Sequence, residues 1–252
     1  MICSQALLSL FLLTGCEEGG ANRDLIQQAL AHEQRLPADR QSDAGRKPDQ
    51  ILAYFEIQPG MTVLDLFSGG GYYTELVSHI TGDSGKVYAH NNQAYVDYVK
   101  DTLEQRFTEG RLSNVKRLTM ELSALDLPDQ SLDATLMILA MHDFYYEDQD
   151  NNWPKVDVNA LLVELCSAMK PGAVLGVVDH VAEPGSGIRD VQTLHRIEPA
   201  YIRQQFSESC FEYSGESNVL RNTSDDYSKS MYAEGIRGKT DRFVYKFNRK
   251  RI

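Results

Sequence analysis

The amino-acid sequence predicts an α/β domain built on a doubly wound, mostly parallel sheet. Residues 63–67 form an apolar run that only Asp65 interrupts, and Ser68 with the glycines at 69–71 follows at once. Apolar residues then recur at helical spacing, which is typical of a strand, a tight turn and a helix. Further along, residues 134–140 are almost continuously apolar, as a strand buried on both faces of a parallel sheet requires.

Length and composition favour one large domain that does not bind nucleic acid. The chain has 252 residues, and 42% of them are hydrophobic, which is enough for a full core. Its formal net charge is −11. Because affinity for nucleic-acid phosphates comes largely from Lys and Arg, we predict no nucleic-acid partner. The sequence does not determine the oligomeric state.

The first residues resemble a bacterial lipoprotein signal. Residues 6–13 are largely apolar but too short to span a bilayer, and Leu-Thr-Gly precedes Cys16. The resemblance implies that Cys16 carries lipid and attaches the protein to a membrane of the cell envelope. Residues 1–5 contain no Lys or Arg, which a secretory signal normally carries. The alternative is therefore a fortuitous apolar run in a cytoplasmic protein.

Three segments describe the predicted organisation of the chain. We expect a signal segment at residues 1–16, a linker with an N-terminal helix at residues 17–47, and the α/β domain at residues 48–252. Outside the signal segment, Cys166 and Cys210 are too far apart in sequence for a C-x-x-C motif. A bridge between them could form in an oxidising compartment, but we expect buried free thiols.

The other elements follow from turn residues and apolar spacing. Pro37 ends a first amphipathic helix, residues 38–48 are charged and loop-like, and Pro59 with Gly60 turns into the first strand. This first helix covers residues 23–36. We predict further helices at 49–55, 95–107, 157–169 and 198–208, and further strands at 86–90, 115–120, 173–178, 211–216 and 243–247.

Three segments resemble motifs of class I S-adenosylmethionine (SAM) methyltransferases. The first is D-L-F-S-G-G-G from Asp65, in which Phe67 stands where many members have glycine. The others are L-P-D-Q-S-L-D at residues 127–133 and K-P-G at residues 170–172. The resemblance covers residues 48–250 and extends to a group of bacterial methyltransferase-like proteins, several of them secreted. It implies a Rossmann-like, seven-stranded sheet with an antiparallel last strand, SAM as the cofactor, and a small-molecule methyl acceptor.

The resemblance also implies a set of cofactor contacts. In the family, a glycine loop wraps the amino-acid end of SAM, the second strand ends at the ribose, and the loop after the third strand meets adenine. Here Asn91 stands in place of the acidic residue that usually binds the ribose. The implied residues are Asp65, Ser68, Gly69, Gly70 and Gly71 at the methionine end, Asn91 at the ribose, and Ser123 with the nearby Glu121 at the adenine.

Candidate catalytic residues follow the fourth and fifth strands. Ligands of open α/β sheets bind beyond the carboxyl ends of the strands, and these two strands should be neighbours. An acceptor hydroxyl or ammonium group needs a base, and histidine has a suitable pKa. The alternative is that these side chains only cap strands and bridge loops. We predict His142 and His180 as bases, oriented by Asp143 or Asp179.

A metal site is a rival interpretation of the same strand ends. Class I methyltransferases for catechol-like acceptors hold a divalent cation there, and Asp143, Asp179 and His180 could do so. A hard cation prefers oxygen ligands, however, and the histidine content argues against one. We therefore predict no metal ligands.

Two loops could complete the site. Residues 183–190 follow the fifth strand, and Arg189, His195 and Arg196 could bind an anionic acceptor or form an Arg–Asp surface network. Gly-Lys-Thr within residues 237–242 resembles the end of a P-loop. The residue at the required upstream glycine position is alanine, so we exclude nucleoside triphosphate hydrolysis and expect a loop over the active face.

Methyl transfer is thus the leading hypothesis, with two rivals. A ligand-binding protein of the same fold in the cell envelope would explain Asn91 and the signal segment, because SAM is made in the cytoplasm. A nicotinamide oxidoreductase is disfavoured, because Thr74 replaces the third glycine of the dinucleotide motif.

Overall fold

The computed structural model describes the backbone of residues 15–108 and 110–251, and the side chains among them from Asn22 onward. Its strands are β1 (Thr62–Asp65), β2 (Lys86–Asn91), β3 (Val115–Thr119), β4 (Leu132–Ile138), β5 (Met169–His180), β6 (Phe211–Glu216) and β7 (Arg242–Arg249). They form one seven-stranded sheet in the order β3-β2-β1-β4-β5-β7-β6. β7 is antiparallel to β5 and β6, and the other pairs are parallel. The predicted fold class is confirmed.

Helices cover both faces of this sheet and create two apolar cores. Because successive strand residues point to opposite faces, Leu64 enters one core and Val63 the other. The core of Leu64 also contains Ile202, and that of Val63 contains Ile51. The helices are α1 (Gly15–Ala31), α2 (Pro37–Arg46), α3 (Pro48–Tyr54), α4 (Tyr72–Thr81), α5 (Gln93–Tyr98), α6 (Lys100–Arg106), α7 (Val158–Ala168), α8 (Val191–Leu194) and α9 (Pro199–Ser207).

The parallel pairing aligns four strand ends at one edge of the sheet. Asp65 of β1 pairs in register with Ala89 of β2 and Leu136 of β4. Ile138 of β4 pairs with Val178 of β5. The carboxyl ends of β1, β2, β4 and β5 therefore lie side by side, and the predicted site residues meet there.

The loop predicted at residues 38–48 was wrong, because this region is largely the helix α2. Pro37 occupies its first turn, Asp39 follows in the same turn, and no residue of the helix is buried. The helix is held by charges instead, since Asp43 accepts hydrogen bonds of 2.8 and 2.7 Å from Arg35. Without an apolar stripe, periodicity could not reveal this helix.

Two further boundaries differ from the predictions. Residues 17–22, expected to be a linker, belong to α1. The single helix predicted at 95–107 is divided at Val99 into α5 and α6. In both places the sequence pattern of the segment alone was not enough to locate where the helix begins or ends.

Cys166 and Cys210 form a disulfide, so the expectation of free thiols was wrong. Their Cα atoms lie 6.0 Å apart, within the usual range for a bridge. The end of β7 runs beside both residues, since Arg249 donates to the Cys166 carbonyl and the Lys250 N–H to that of Cys210. A separation of 44 residues concealed this contact in the sequence.

Within the described residues, no helix combines the length and apolar character that crossing a bilayer requires. Residues 1–14, which carry most of the predicted lipoprotein signal, lie outside the described residues, as does the side chain of Cys16. Lipid attachment at Cys16 stays a prediction.

Candidate functional site

A cavity of about 770 Å³ opens at the carboxyl edge of the sheet. The turn after β1, the start of α4, the helix α2 and parts of residues 231–242 line it. A second cavity of about 450 Å³ lies at the opposite, amino-terminal edge, beside Lys86 and Val115, and contains none of the predicted site residues. The predicted residues that line the first cavity are Asp65, Ser68, Gly69, Gly70 and His180.

The turn after β1 brings backbone close to this cavity. Phe67 and Gly71 have positive φ angles of 52° and 81°, which reverse the chain sharply. A Cβ atom at Gly70 would lie 2.7 Å from Thr102 Cγ2, so only glycine fits there. The Oγ of Ser68 is buried without a hydrogen-bond partner among the described residues. The turn therefore leaves a polar group available to a ligand.

Asp65 lies at the end of β1 and is buried. Its Oδ2 accepts a 2.6 Å hydrogen bond from Thr74 Oγ1. Burial raises the pKa of Asp65 to about 6, although Thr74 and Arg106 favour the ionised form. The protein's own groups therefore do not fully compensate the cost of burying the ionised form of Asp65.

The predicted adenosine-side residues do not line the cavity. Asn91 Oδ1 accepts a 2.9 Å hydrogen bond from the Gly69 N–H, and its Nδ2 donates to the Gly69 carbonyl at 3.0 Å. The amide therefore holds the glycine turn rather than facing open space. Glu121 is half-buried and Ser123 is exposed. Contacts of these three residues with ribose or adenine stay predictions.

An aromatic cluster covers the same edge of the sheet. The ring of Phe67 packs against His90, Tyr95, Phe144 and Trp153, with ring centroids 5.1–5.7 Å apart. These residues come from the ends of β1 and β2 and from segments that follow β2 and β4. The departure from glycine at Phe67 and the aromatic density at residues 144–146 and 153 were the sequence signals of this cluster.

Three of the predicted catalytic residues meet after β4 and β5. His142 Nδ1 lies 2.8 Å from Asp179 Oδ1, and the His142 backbone N–H donates to Asp179 Oδ2 at 2.8 Å. On the other side of the ring, Nε2 lies 3.3 Å from Asp143 Oδ1. All three side chains are buried, so the imidazole is enclosed between two carboxyl groups.

The charges of this trio are coupled. Burial alone would lower the pKa of His142, but Asp143 and Asp179 raise it to about 9. Burial raises the pKa of Asp143 to about 6, although His142 attracts its ionised form. Burial would also raise the pKa of Asp179, yet His142 holds it below its usual value. At neutral pH His142 is protonated in this arrangement, so it does not accept a further proton.

His180 faces the cavity, unlike the other predicted base. Its Nδ1 lies 2.6 Å from Thr240 Oγ1, and burial lowers its pKa to about 3. The ring is therefore neutral at physiological pH, and it offers hydrogen bonding rather than charge.

The cavity carries positive charge that the described part of the chain does not pair. Arg242 is only 7% exposed, donates to the Gly45 carbonyl at 2.7 Å, and has an unpartnered Nε. Burial lowers the pKa of this guanidinium. Arg46, Arg237 and Lys239 also line the cavity, and no described carboxylate lies within ion-pair distance of these four cations.

The two arginines predicted for an anionic acceptor are engaged elsewhere. Arg189 pairs with Glu183 and Asp190, each at 2.8 Å. Arg196 is buried and holds Asp225 at 2.8 and 3.0 Å. The alternative of an Arg–Asp network is the one that the structure contains.

Parts of the cavity wall were missed by sequence reasoning. Asp39, Ser42 and Arg46 reach it from α2, which lacks apolar periodicity. Residues 237–239, which we expected over the active face, line it together with Met231 and Tyr232. Only the fold brings these distant segments to the strand ends.

Known proteins with similar sequences and structures are methyltransferases in the main. The chain is 26% identical over 183 residues to the ubiquinone/menaquinone biosynthesis C-methyltransferase UbiE of Shewanella oneidensis, covering 71% of this chain and 67% of that protein. The crystal structure of a SAM-dependent methyltransferase from Aquifex aeolicus superposes with a TM-score of 0.56 at 22% identity, covering 80% of this chain and 89% of that one. The crystal structure of the [4+2]-cyclase SpnF superposes with a TM-score of 0.54 at 17% sequence identity, covering 82% of this chain and 81% of that one. No protein-family model matches the chain.

These similarities support a class I SAM-dependent methyltransferase with SAM as its cofactor, as the sequence predicted. The glycine turn fits the methionine end of that cofactor, because it lines the cavity and Ser68 Oγ has no partner among the described residues. At the adenosine end the fit is poorer, because the Phe67 ring and the Asn91 amide are committed to internal contacts.

Proposed function

We propose that this protein transfers the methyl group of SAM to a small-molecule acceptor that carries an anionic group. The observation that carries the proposal is a single cavity shared by the glycine turn, the neutral ring of His180 and the unpaired guanidinium of Arg242. Methyl transfer depends mainly on positioning the acceptor and excluding water, which a cavity at the strand ends can do.

The chain's own residues would hold the methionine end of SAM. Ser68 Oγ offers a polar group at the turn, and Asp65 supplies negative charge near the ammonium group. A bound cofactor of this kind provides an electrophilic methyl group. The protein's part is to place the acceptor against that group.

An anionic acceptor follows from the cations. A buried guanidinium without a counter-charge is costly, and a carboxylate or phosphate can satisfy it through two parallel hydrogen bonds. Arg242 is buried, and Arg46 stacks over the Tyr72 ring at 4.6 Å from its centroid, which positions a second cation. His180 would donate or accept one further hydrogen bond to the acceptor.

Isothermal titration of the full chain with SAM and S-adenosylhomocysteine tests the cofactor half of this proposal. We expect micromolar binding, about −8 kcal/mol. Ser68→Ala should weaken it. Ser131→Ala is a matched control, because its Oγ is also buried without a partner in the described part of the chain but does not line the cavity. Absence of binding to both compounds would refute the proposal.

The proposal of an anionic acceptor is tested by measuring the binding of a simple anion. Inorganic phosphate should bind the wild-type protein, and Arg242→Gln should weaken that binding without changing affinity for SAM. The matched change Arg189→Gln removes an exposed arginine outside the cavity and should have no effect. Equal phosphate affinity in all three proteins would contradict an anionic acceptor.

A second candidate function is ligand binding without methyl transfer. The Phe67 ring cluster and the occupied Asn91 amide favour it, and the neighbour SpnF is named a cyclase, so this fold serves other activities. If Phe67 excludes the adenosine half of SAM, Phe67→Gly should increase SAM affinity. The truncation should also cost about 3–5 kcal/mol of stability, which urea unfolding would measure.

We further propose that the protein is attached by lipid at Cys16 in the cell envelope. The L-T-G-C sequence supports this, and so does the Cys166–Cys210 disulfide, because such bridges persist in oxidising compartments. Mass spectrometry of the N-terminal peptide should find a lipid-modified cysteine. Cys16→Ser should move the protein from the membrane fraction to the soluble fraction, and an unmodified Cys16 in membranes would contradict the assignment.

A further inference from the structure

A buried cluster of potential metal ligands lies next to the cavity. His142, Asp143 and His195 each offer one ligand atom, and these atoms lie within 4.8 Å of one another. His142 Nε2 and His195 Nδ1 are buried and have no hydrogen-bond partner among the described residues. Two imidazole nitrogens without partners beside a carboxylate are unusual in a protein interior.

Asp179 fixes the orientation of the His142 ring, as a metal ligand requires. It accepts from Nδ1 of His142 at 2.8 Å and also from the His142 backbone N–H at 2.8 Å. These contacts place the other nitrogen, Nε2, toward Asp143. A carboxylate behind a histidine is the common arrangement around protein-bound metals, because it fixes the ring and raises its basicity as a ligand.

We propose that His142, Asp143 and His195 bind a divalent transition-metal ion, which displaces the Nε2 proton of His142, with Asp179 as the residue that orients His142. Imidazole nitrogen suits Zn²⁺ and Fe²⁺, and two histidines with one carboxylate leave coordination positions open. The set differs from the oxygen-rich set considered from the sequence, since His142 and His195 replace Asp179 and His180. This inference does not depend on the proposed methyl transfer.

The distances require only a small adjustment. Zinc ligands at about 2.0–2.1 Å from the ion lie roughly 3.3–3.5 Å apart in a tetrahedral site. The pair His142 Nε2 and Asp143 Oδ1 is already at 3.3 Å. The third ligand must approach by a side-chain rotation of His195, which is half-buried between Tyr146 and Tyr232.

The site would adjoin the cavity rather than lie in it. Tyr232 packs against the His195 ring and also lines the cavity. Tyr95 lies near enough to Asp143 to favour its ionised form, and Tyr95 lines the cavity as well. The proposed metal site would therefore border the cavity at these two tyrosines.

Metal titration of the full chain tests the proposal. The protein is dialysed against a chelator and then titrated with Zn²⁺ by calorimetry and with Co²⁺ by visible absorption, with no SAM present. We expect one ion per chain. His195→Asn and Asp143→Asn should each weaken binding more than about 100-fold, and Asp179→Asn about 10- to 100-fold, because it acts through His142.

Asparagine is chosen at 195 because this residue has a φ of 51°, which asparagine tolerates. The control is His32→Asn, which disrupts a stacked His32–His79 pair beside Glu75. Circular dichroism confirms that each variant is folded. Wild-type protein that binds no ion, or binding that survives His195→Asn and is lost in His32→Asn, would overturn the proposal. SAM affinity is measured separately, so failure of either proposal is recognised independently.

Discussion

Two strands each carry a buried aspartate at the same edge of the sheet, and the pKa values of these two aspartates shift in opposite directions. Asp65 ends β1 and has one side-chain hydrogen bond, from Thr74, and burial raises its pKa to about 6. Asp179, near the end of β5, accepts from the His142 ring and from the backbone N–H groups of His142 and His180. Burial opposes its ionisation too, but His142 keeps its pKa below the usual value.

The difference shows that position in a fold does not decide what a carboxylate does. Both strands are buried and run in the same direction, so the contrast comes from the partners that the tertiary structure places beside each carboxylate. The Asp179 carboxylate is fully paired, whereas the Asp65 region borders a cavity and the Ser68 hydroxyl, which has no partner among the described residues. We regard Asp179 as the residue that holds His142 in place and the Asp65 region as open to a ligand of the cavity.

The largest expected effect comes from breaking the paired region. Asp179→Ala leaves a protonated His142 buried without its main partner and should cost about 3–5 kcal/mol of the free energy of unfolding, measured in urea. Glu104→Ala is the control, because its pair with Lys100 is two-thirds exposed and should contribute less than about 0.5 kcal/mol. Equal losses in the two variants would mean that the buried pair is not a support.

Removing the disulfide should lower the stability of the fold without changing the affinity of the cavity for SAM. The double change Cys166→Ala and Cys210→Ala opens a loop of 44 residues and should lower stability by about 2–4 kcal/mol. The bridge lies beside β6 and β7, away from the cavity, so affinity for SAM should not change. Calorimetric melting and SAM titration of the same variant check both statements, and a loss of SAM affinity would show that the two regions are coupled.

Asp65→Asn tests the under-paired region and should stabilise the protein. A folded-state pKa of about 6 lies above the ordinary value of 3.8, so the folded state binds more protons between these values and stability falls as pH rises through that window. The difference corresponds to about 3 kcal/mol above pH 6 and vanishes below about pH 4.

Urea unfolding of wild type and Asp65→Asn across this range measures the effect, and SAM titration should show weaker binding in the variant. A stability gain that is the same at all pH values would contradict the assigned pKa.

The smallest effect concerns the glycine turn. Gly71→Ala should cost about 2 kcal/mol, because its φ is 81° and its Cβ would lie 2.7 Å from Arg106 Cδ. Gly235→Ala is the matched control, with a φ of 79° and no atom within 4 Å of its Cβ, so it carries only the backbone strain. Thermal melting should place Gly71→Ala below Gly235→Ala, and equal melting temperatures would mean that Arg106 moves aside freely.

Local patterns were sufficient for most of the sheet. The apolar run and glycines after Thr62 identified β1 and its turn, and the strand predicted at 211–216 has the same bounds in the structure. The neighbouring ends of the fourth and fifth strands also followed from topology, which is why His142 and Asp179 were expected near each other.

By itself, then, the sequence determined the fold class, the glycine turn and the strand-end histidines and aspartates, because burial, turn chemistry and periodicity are local properties. The tertiary structure alone decided the Cys166–Cys210 bridge, the cavity wall from α2, and the approach of His195 to His142. It also decided which histidine faces the cavity. These depend on contacts between residues far apart in the chain, and on the burial and charge that such contacts create.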